Sequence, residues 1–593
     1  MRQIIAALLC AALFPSVAAS AAPPSVHDRL TTLAKTMVFT MARRHPMQAT
    51  ALGISGYDAK LSAPSKAYRA RDLALLRDWE GELAQIAPPQ AHLSLVDRDD
   101  ATLLGAQLRQ QIDALTVYRA AEKDYAGAAN GLVGTIFTQF QNLPIPGRDG
   151  ATASDLRSAW LAIVSRLAGG PAYIEASQAL VDHPGHLQGV TGSEQLAGVP
   201  SFFNGPLTAA AKAQLSASDF ARFVAARDAT LHTIAQTKAY VDAHDANWPE
   251  NFAMGRAAYD RMLHRELLLP YDAIDVERFA QAGLAHGWAV EAWLTQLARL
   301  RHTPFGPATG GGLAPGGAAL IPYYRERIAQ LRAFVQSHHV ITIPHWLGSV
   351  QVVETPSFLQ PVSPGASMNP PLLFSKSSNG YYFITPPTSL EAAAKRLSMN
   401  QDFDRDRILS TAAHEVMPGH FLQLSIAKRN PDFIRRIQSS GVFAEGWAFY
   451  GEEMFVQLGL YGDDLDGRLY TARWERVRGA RAMVDPKLAT GEWTYRQAAD
   501  YFARETGFTK AAADAEVAAI ALGPGYFISY IVGRQQLETL LGEYMLKMGS
   551  KGSLLDFHDR LMCYGTTPYA IVGPELLADL KKPLAEVRAA ARY

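Results

Sequence analysis

His414, Glu415 and His420, in the run Thr411-Ala-Ala-His414-Glu415-Val-Met-Pro418-Gly419-His420-Phe-Leu-Gln423, are residue types that can bind a metal and move a proton. Further on, Ala444-Glu445-Gly446-Trp447-Ala-Phe-Tyr450-Gly-Glu452-Glu453 places carboxylates in an apolar segment. A hydrolytic zinc ion needs three protein ligands, an open position for water and a nearby carboxylate to accept that water's proton. The two histidines are six apart, so a straight helix would turn their imidazoles roughly 120° away from each other. One shared ion therefore requires the helix to break between them. Pro418 lacks the N–H that would bond the His414 carbonyl, and Gly419 is expected to supply an unusual, positive-φ turn. Glu445 and Glu452 share one face of the next helix, and either can serve as the third ligand. That helix also carries Phe443, Trp447, Ala448, Phe449 and Phe455, so unpaired carboxylates on it would be costly and coordination would remove the cost. The reading is one Zn2+ on His414, His420 and Glu445, with Glu415 as proton carrier and Glu452 in reserve.

Other polar groups lie in apolar surroundings. Tyr526-Phe-Ile-Ser529-Tyr530 follows Gly523-Pro524-Gly525 at a helix start, and Tyr530 could donate to the oxyanion of a tetrahedral intermediate. Arg481 and Asp485, at i and i+4, are expected to pair near the site, while Arg473, Arg476 and Arg478 read mostly as a solvated face. Arg481 would suit a substrate's free carboxylate. Asp182-His183-Pro184-Gly185-His186-Leu187-Gln188 repeats part of the histidine motif without the glutamate and reads as a loop, without a following carboxylate helix.

These chemical groups must be positioned by a chain that is mainly α. From Val26 to about Asp245 the apolar spacing is helical, with connectors expected at Asn142–Gly150 and Ala197–Pro206 and a break at Gly169-Gly170-Pro171. A helix over Tyr271–Arg301 precedes a glycine-rich loop or lid candidate, Pro304 to Gly317. Val340–Ile343, Val350–Val353 and Tyr381–Thr385 have strand character, predicting a small β-sheet near the active site. Tyr381–Thr385, with Tyr382, is the candidate edge strand for pairing with an extended substrate. The division that follows is a leader over 1–21, a helical region over 22–300, a loop and sheet region over 301–388 and a helical catalytic region over 389–593.

With 593 residues, 48% hydrophobic, the chain can bury a large core, and 56 basic residues against 56 acidic ones give no footprint for nucleic acid. Arg2, the apolar run Ile4–Phe14 and Ala19-Ser20-Ala21 read as a cleaved export signal, giving a periplasmic or secreted product. Cys10 fits a lipoprotein cleavage box poorly, so a lipid anchor is the less favoured form. Removal of the leader leaves Cys563 alone, expected as a buried core residue, and no later run reaches the ~18 apolar residues of a membrane span.

The pattern H-E-x-x-P-G-H-x-x-Q followed by E-G-W-A-x-Y-x-E resembles a bacterial family catalogued as domain of unknown function (DUF) 885, regarded as zinc peptidases. The resemblance extends over about residues 26–590, from Pro46–Gly53 with Tyr57-Asp58, through Arg481–Asp485, to Pro524–Gly533. Where relatives carry a histidine, this chain has Val484-Asp485-Pro486-Lys487-Leu488-Ala489. The resemblance implies a large multi-helix, gluzincin-like architecture and a peptide substrate, cut by a carboxypeptidase, dipeptidase or oligopeptidase. The contrasting readings are a non-catalytic periplasmic binding or scaffold protein, and a metal-dependent hydrolase of another amide or ester.

Overall fold

The computed structural model describes residues 24–148, 150–303, 305, 317–361, 363, 365–385 and 405–593. The leader and most of the glycine-rich run lie outside the described residues. Helices start where the sequence offers an oxygen to the first free N–H groups. Ser25, Thr152, Asp272 and Thr494 each form a reciprocal capping box with Asp28, Asp155, Asp275 and Gln497. The result is mainly helical with one small sheet.

Several local expectations give way to tertiary contacts. The helix Ala153–Gln178 runs unbroken through Pro171. The carbonyl that this proline leaves without a helical donor is that of Leu167, and it accepts instead from Thr230 Oγ1 at 2.7 Å. Ala197–Phe202 is helical rather than a connector. Val340–Ile343 forms no strand: Thr342 donates its N–H and hydroxyl to Asp559 at 2.9 and 2.7 Å, and His558 Nδ1 lies 2.8 Å from the Val340 carbonyl.

The sheet has the order β1-β3-β2, where β1 is Val350–Glu354, β2 is Ala366–Asn369 and β3 is Gly380–Ile384. β1 runs parallel to β3 and β2 antiparallel to it, with Tyr382 opposite both Val352 and Met368. β3 is thus the central strand with both ladders occupied, so it cannot pair with a substrate as the sequence suggested. Tyr382 is fully buried with its ring 5.7 Å from that of Tyr324, which removes it from the substrate-contacting candidates.

Strand alternation explains what the sheet does. Val352, Tyr382 and Ile384 point into the core that also holds Ile408 and Ala412 of the histidine helix. Phe383, the next residue, points the other way into the core of the N-terminal helices. Pro46–Gly53 and Tyr57–Asp58 prove structural: they wrap the buried Arg166, which donates to Thr50 Oγ1 and to the carbonyls of Pro46, Tyr57 and Lys60. Cys563 is buried, donating to the Asp559 carbonyl. Among the described residues no helix is long and apolar enough to cross a membrane.

Candidate metal centre

The histidine helix, Arg405–Glu415, stops one residue after His414, and a second helix, His420–Lys428, starts at the other histidine. In between, the N–H groups of Val416 and Met417 both reach the Ala412 carbonyl, at 2.9 and 3.1 Å, and Gly419 reaches back to Ala413 at 3.0 Å. Met417–Pro418 is a cis peptide. Gly419 has φ −62°, so positive φ is not the reason for the glycine. A Cβ there would overlap the His414 carbonyl, and only glycine lets the chain fold back this closely. Trp447 Nε1 donates to the Pro418 carbonyl at 3.0 Å and pins the break to the carboxylate helix, Gly441–Gln457.

The break brings both imidazoles to one carboxylate. Glu445 Oε2 lies 3.3 Å from His414 Nε2 and 3.5 Å from His420 Nε2, and the three donor atoms fall within 4.8 Å of one another. His414 and Glu445 are buried, and the His420 side chain is 12% exposed. Glu445 Oε2 has no hydrogen-bond donor. Against the upward push of burial, His420 and His414 hold the Glu445 carboxyl well below the usual carboxylate range.

Glu452 stands behind this group. Its Oε1 lies 2.7 Å from His414 Nδ1, leaving Nε2 to face Glu445, and Ser410 and Arg478 complete its hydrogen bonds at 3.1 and 3.2 Å on Oε2. Glu445 thus faces both imidazoles, whereas Glu452 meets His414 from its Nδ1 side. Burial pulls the His414 pKa down, but Glu445 and Glu452 overcome it and hold it up to about 9. Burial raises the Glu415 carboxyl, opposed by the fields of His420 and His414.

The remaining polar candidates have other partners. Arg481 pairs bidentately with Glu516, at 2.8 and 2.9 Å, rather than with Asp485. Asp485 is buried and accepts from Tyr259 Oη at 2.9 Å, Gly525 N at 2.8 Å and Phe527 N at 3.1 Å. It therefore fixes the turn that delivers the tyrosines, and burial pushes its carboxyl up to about 7. Arg476 and Arg478 are buried, not solvated, and Arg476 lies 3.3 Å from Glu291. The Tyr530 ring stacks along His414 at 6.1 Å between centroids. Tyr526, one turn before Tyr530, donates to Glu445 Oε1 at 2.6 Å although the residue as a whole is 44% exposed.

Arg478 was also missed by sequence reasoning, yet a signal existed. An arginine followed by Gly479-Ala480 and Ala482-Met483-Val484 is on a helix with no wholly polar side, so it must be paired when buried. The sheet of contacts is completed where the carboxylate helix meets Ser529–Met548: a Cβ on Gly446 would lie 2.5 Å from the Gly533 carbonyl carbon, so the two backbones touch.

A family model described as bacterial protein of unknown function (DUF885) matches residues 46–576. The chain belongs to this family. Among curated proteins none matches. Two solved structures share the fold of this DUF885 member. One, from Shewanella oneidensis and described as a "putative lipoprotein of unknown function", has TM-score 0.70 and 20% identity, covering 94% of this chain and 100% of its own. The other, a "putative lipoprotein" from Colwellia psychrerythraea, has TM-score 0.76 and 17% identity with the same coverage.

Proposed function

We propose that this DUF885 member is a zinc-dependent peptidase acting on short peptides outside the cytoplasm. The observation that carries the reading is the spacing at Glu445 Oε2, 3.3 and 3.5 Å from two imidazole nitrogens. A tetrahedral ion with ligands at about 2.0–2.1 Å sets them roughly 3.4 Å apart. The buried Glu445 Oε2, facing both imidazole nitrogens, supports the same conclusion, since an ion at that point would be shared by all three atoms. His414, His420 and Glu445 would hold the ion. Bound there, zinc would supply Lewis acidity and make water acidic enough to lose a proton near neutral pH.

The protein's own groups do the rest. Glu415, next in sequence to His414 and raised by burial, is suited to accept the water's proton and return it to the leaving amine. Glu452 keeps the His414 ring turned so that Nε2 faces the shared point. The neighbouring Tyr530, followed by burial and Glu445, raises the Tyr526 phenol well above its ordinary pKa, and burial with Glu445 raises that of Tyr530, so both keep their O–H protons. Arg481 is neutralised by Glu516, which removes the support for a carboxylate clamp and hence for strict carboxypeptidase action. A gluzincin-like arrangement is favoured by the broken histidine helix, the carboxylate helix and the sheet packed on the same core.

Export follows from the leader. The neighbours' description as lipoproteins favours a lipid-anchored form more than the sequence around Cys10 does. The deciding experiment is zinc analysis of the purified protein together with a peptide library read by mass spectrometry. About one equivalent of zinc is expected at this centre, and that equivalent should be lost in His420→Ala and Glu445→Gln. Glu415→Gln should keep the zinc and lower turnover by roughly three or more powers of ten. Zinc lost on Glu452→Gln but retained on Glu445→Gln would overturn the ligand set.

A further inference from the structure

A second convergence of a histidine and two carboxylates lies away from the candidate centre, where the helix Val26–Arg44 meets the helix Leu95–Asp113 and the short helix Phe433–Arg436. His27 Nδ1 is 3.3 Å from Asp100 Oδ2, and His27 Nε2 is 3.9 Å from Asp432 Oδ2. Each carboxylate has already committed its other oxygen. Asp100 Oδ1 accepts from Arg435 Nε at 2.8 Å, and Asp432 Oδ1 caps the short helix through Ile434 N at 2.8 Å and Arg435 N at 3.2 Å. The Asp100 side chain is fully buried, and its Oδ2, turned toward His27, has no hydrogen-bond donor. One atom from each of the three residues falls within a 4.8 Å span.

Charge balance points the same way. Arg435 divides its guanidinium between Asp100 and Glu575, at 2.8 and 2.7 Å, and Arg98 lies 3.9 Å from Asp99. The Asp100 oxygen turned toward His27 is nevertheless left without a donor. A similar group, His286 with Glu453 and Glu475, differs: Arg534 reaches both glutamates and supplies the cation itself. The His27 side chain is 42% exposed and that of Asp432 23%, so an ion could enter and keep water on its open side.

We propose that His27, Asp100 and Asp432 form a second, structural cation site that takes a borderline divalent ion such as Zn2+. One imidazole with two carboxylates suits such an ion better than the all-oxygen shell preferred by Ca2+ or Mg2+. The ion would tie the first helix of the described chain to the segment that leaves the His420 helix, and so brace the candidate centre from outside.

The test is designed to fail separately from the peptidase reading. In the full chain, His420→Ala with Glu445→Gln disables the candidate centre, and bound zinc is measured after equilibration with Zn2+ and gel filtration. One equivalent should remain. Adding His27→Gln should remove it, and adding Asp432→Asn, which keeps the helix-capping oxygen, should weaken it by at least about tenfold. EDTA should lower the melting temperature of the double variant and leave the His27→Gln triple variant unmoved. A double variant that binds no zinc, or one whose zinc survives His27→Gln, overturns the second site. His27→Gln alone in the otherwise wild-type chain should remove one equivalent and leave the other, and loss of all zinc on that change would count against the first site.

Discussion

At the scale of single residues, the candidate centre depends on one position where no side chain fits. Gly419 turns the chain back over the His414 carbonyl, where an added Cβ would overlap it. Gly451, on the carboxylate helix, is the matched control, because a Cβ there would meet Pro418 Cγ at an ordinary 3.7 Å. Gly419→Ala should therefore cost about 1–3 kcal/mol through overpacking and lower zinc affinity with it. Gly451→Ala should be neutral or slightly stabilising, since alanine is the better helix former. Urea unfolding and zinc titration of both variants check this. Equal behaviour would show that the close approach at Gly419 is not what holds the histidines together.

At the scale of elements, the helix Leu554–Cys563 supports the carboxylate helix through a histidine kept neutral. His558 is fully buried, its Nε2 3.1 Å from the Tyr450 hydroxyl and its ring 5.1 Å from that of Trp447. Burial pushes its pKa down to about 4. The unfolded chain, with an ordinary histidine near pH 6.5, takes up a proton there that the fold does not. Stability from this residue is thus complete above about pH 6.5 and declines as pH falls toward 4, by on the order of 3 kcal/mol. Urea unfolding at pH 6.5 and 4.5 should show a steeper loss in the wild type than in His558→Gln. Parallel losses would mean that other groups carry the acid sensitivity. The same elements show what a sequence can reveal. The helix break at Pro418-Gly419 was legible because its cause lies within a few residues. Thr230 rescuing the Leu167 carbonyl, β2, and the pairing of Arg478 with Glu452 were not, because each partner is brought in by the fold from a distant segment. Tyr526 was in view, but nothing local distinguished it from Tyr530.

At the scale of the whole molecule, the three-stranded sheet is the joint between two cores, and adjacent residues of β3 serve opposite sides. Phe383 packs among the N-terminal helices, with its ring 5.9 Å from that of Phe137, whereas Tyr382 packs on the side of the histidine helix. Truncating either should cost about 3–5 kcal/mol, the usual loss for a large buried aromatic. The two losses should differ in kind. Phe383→Ala loosens the N-terminal core and should leave zinc affinity near that of the wild type. Tyr382→Ala removes support from the core that holds Ile408 and Ala412, so zinc affinity should fall together with stability. Comparing zinc affinity with unfolding free energy in the two variants separates these effects. A fall in zinc affinity of the same size in both would mean that the sheet transmits a disturbance from either face to the candidate centre, making the N-terminal helices part of the site's support rather than a separately packed neighbour.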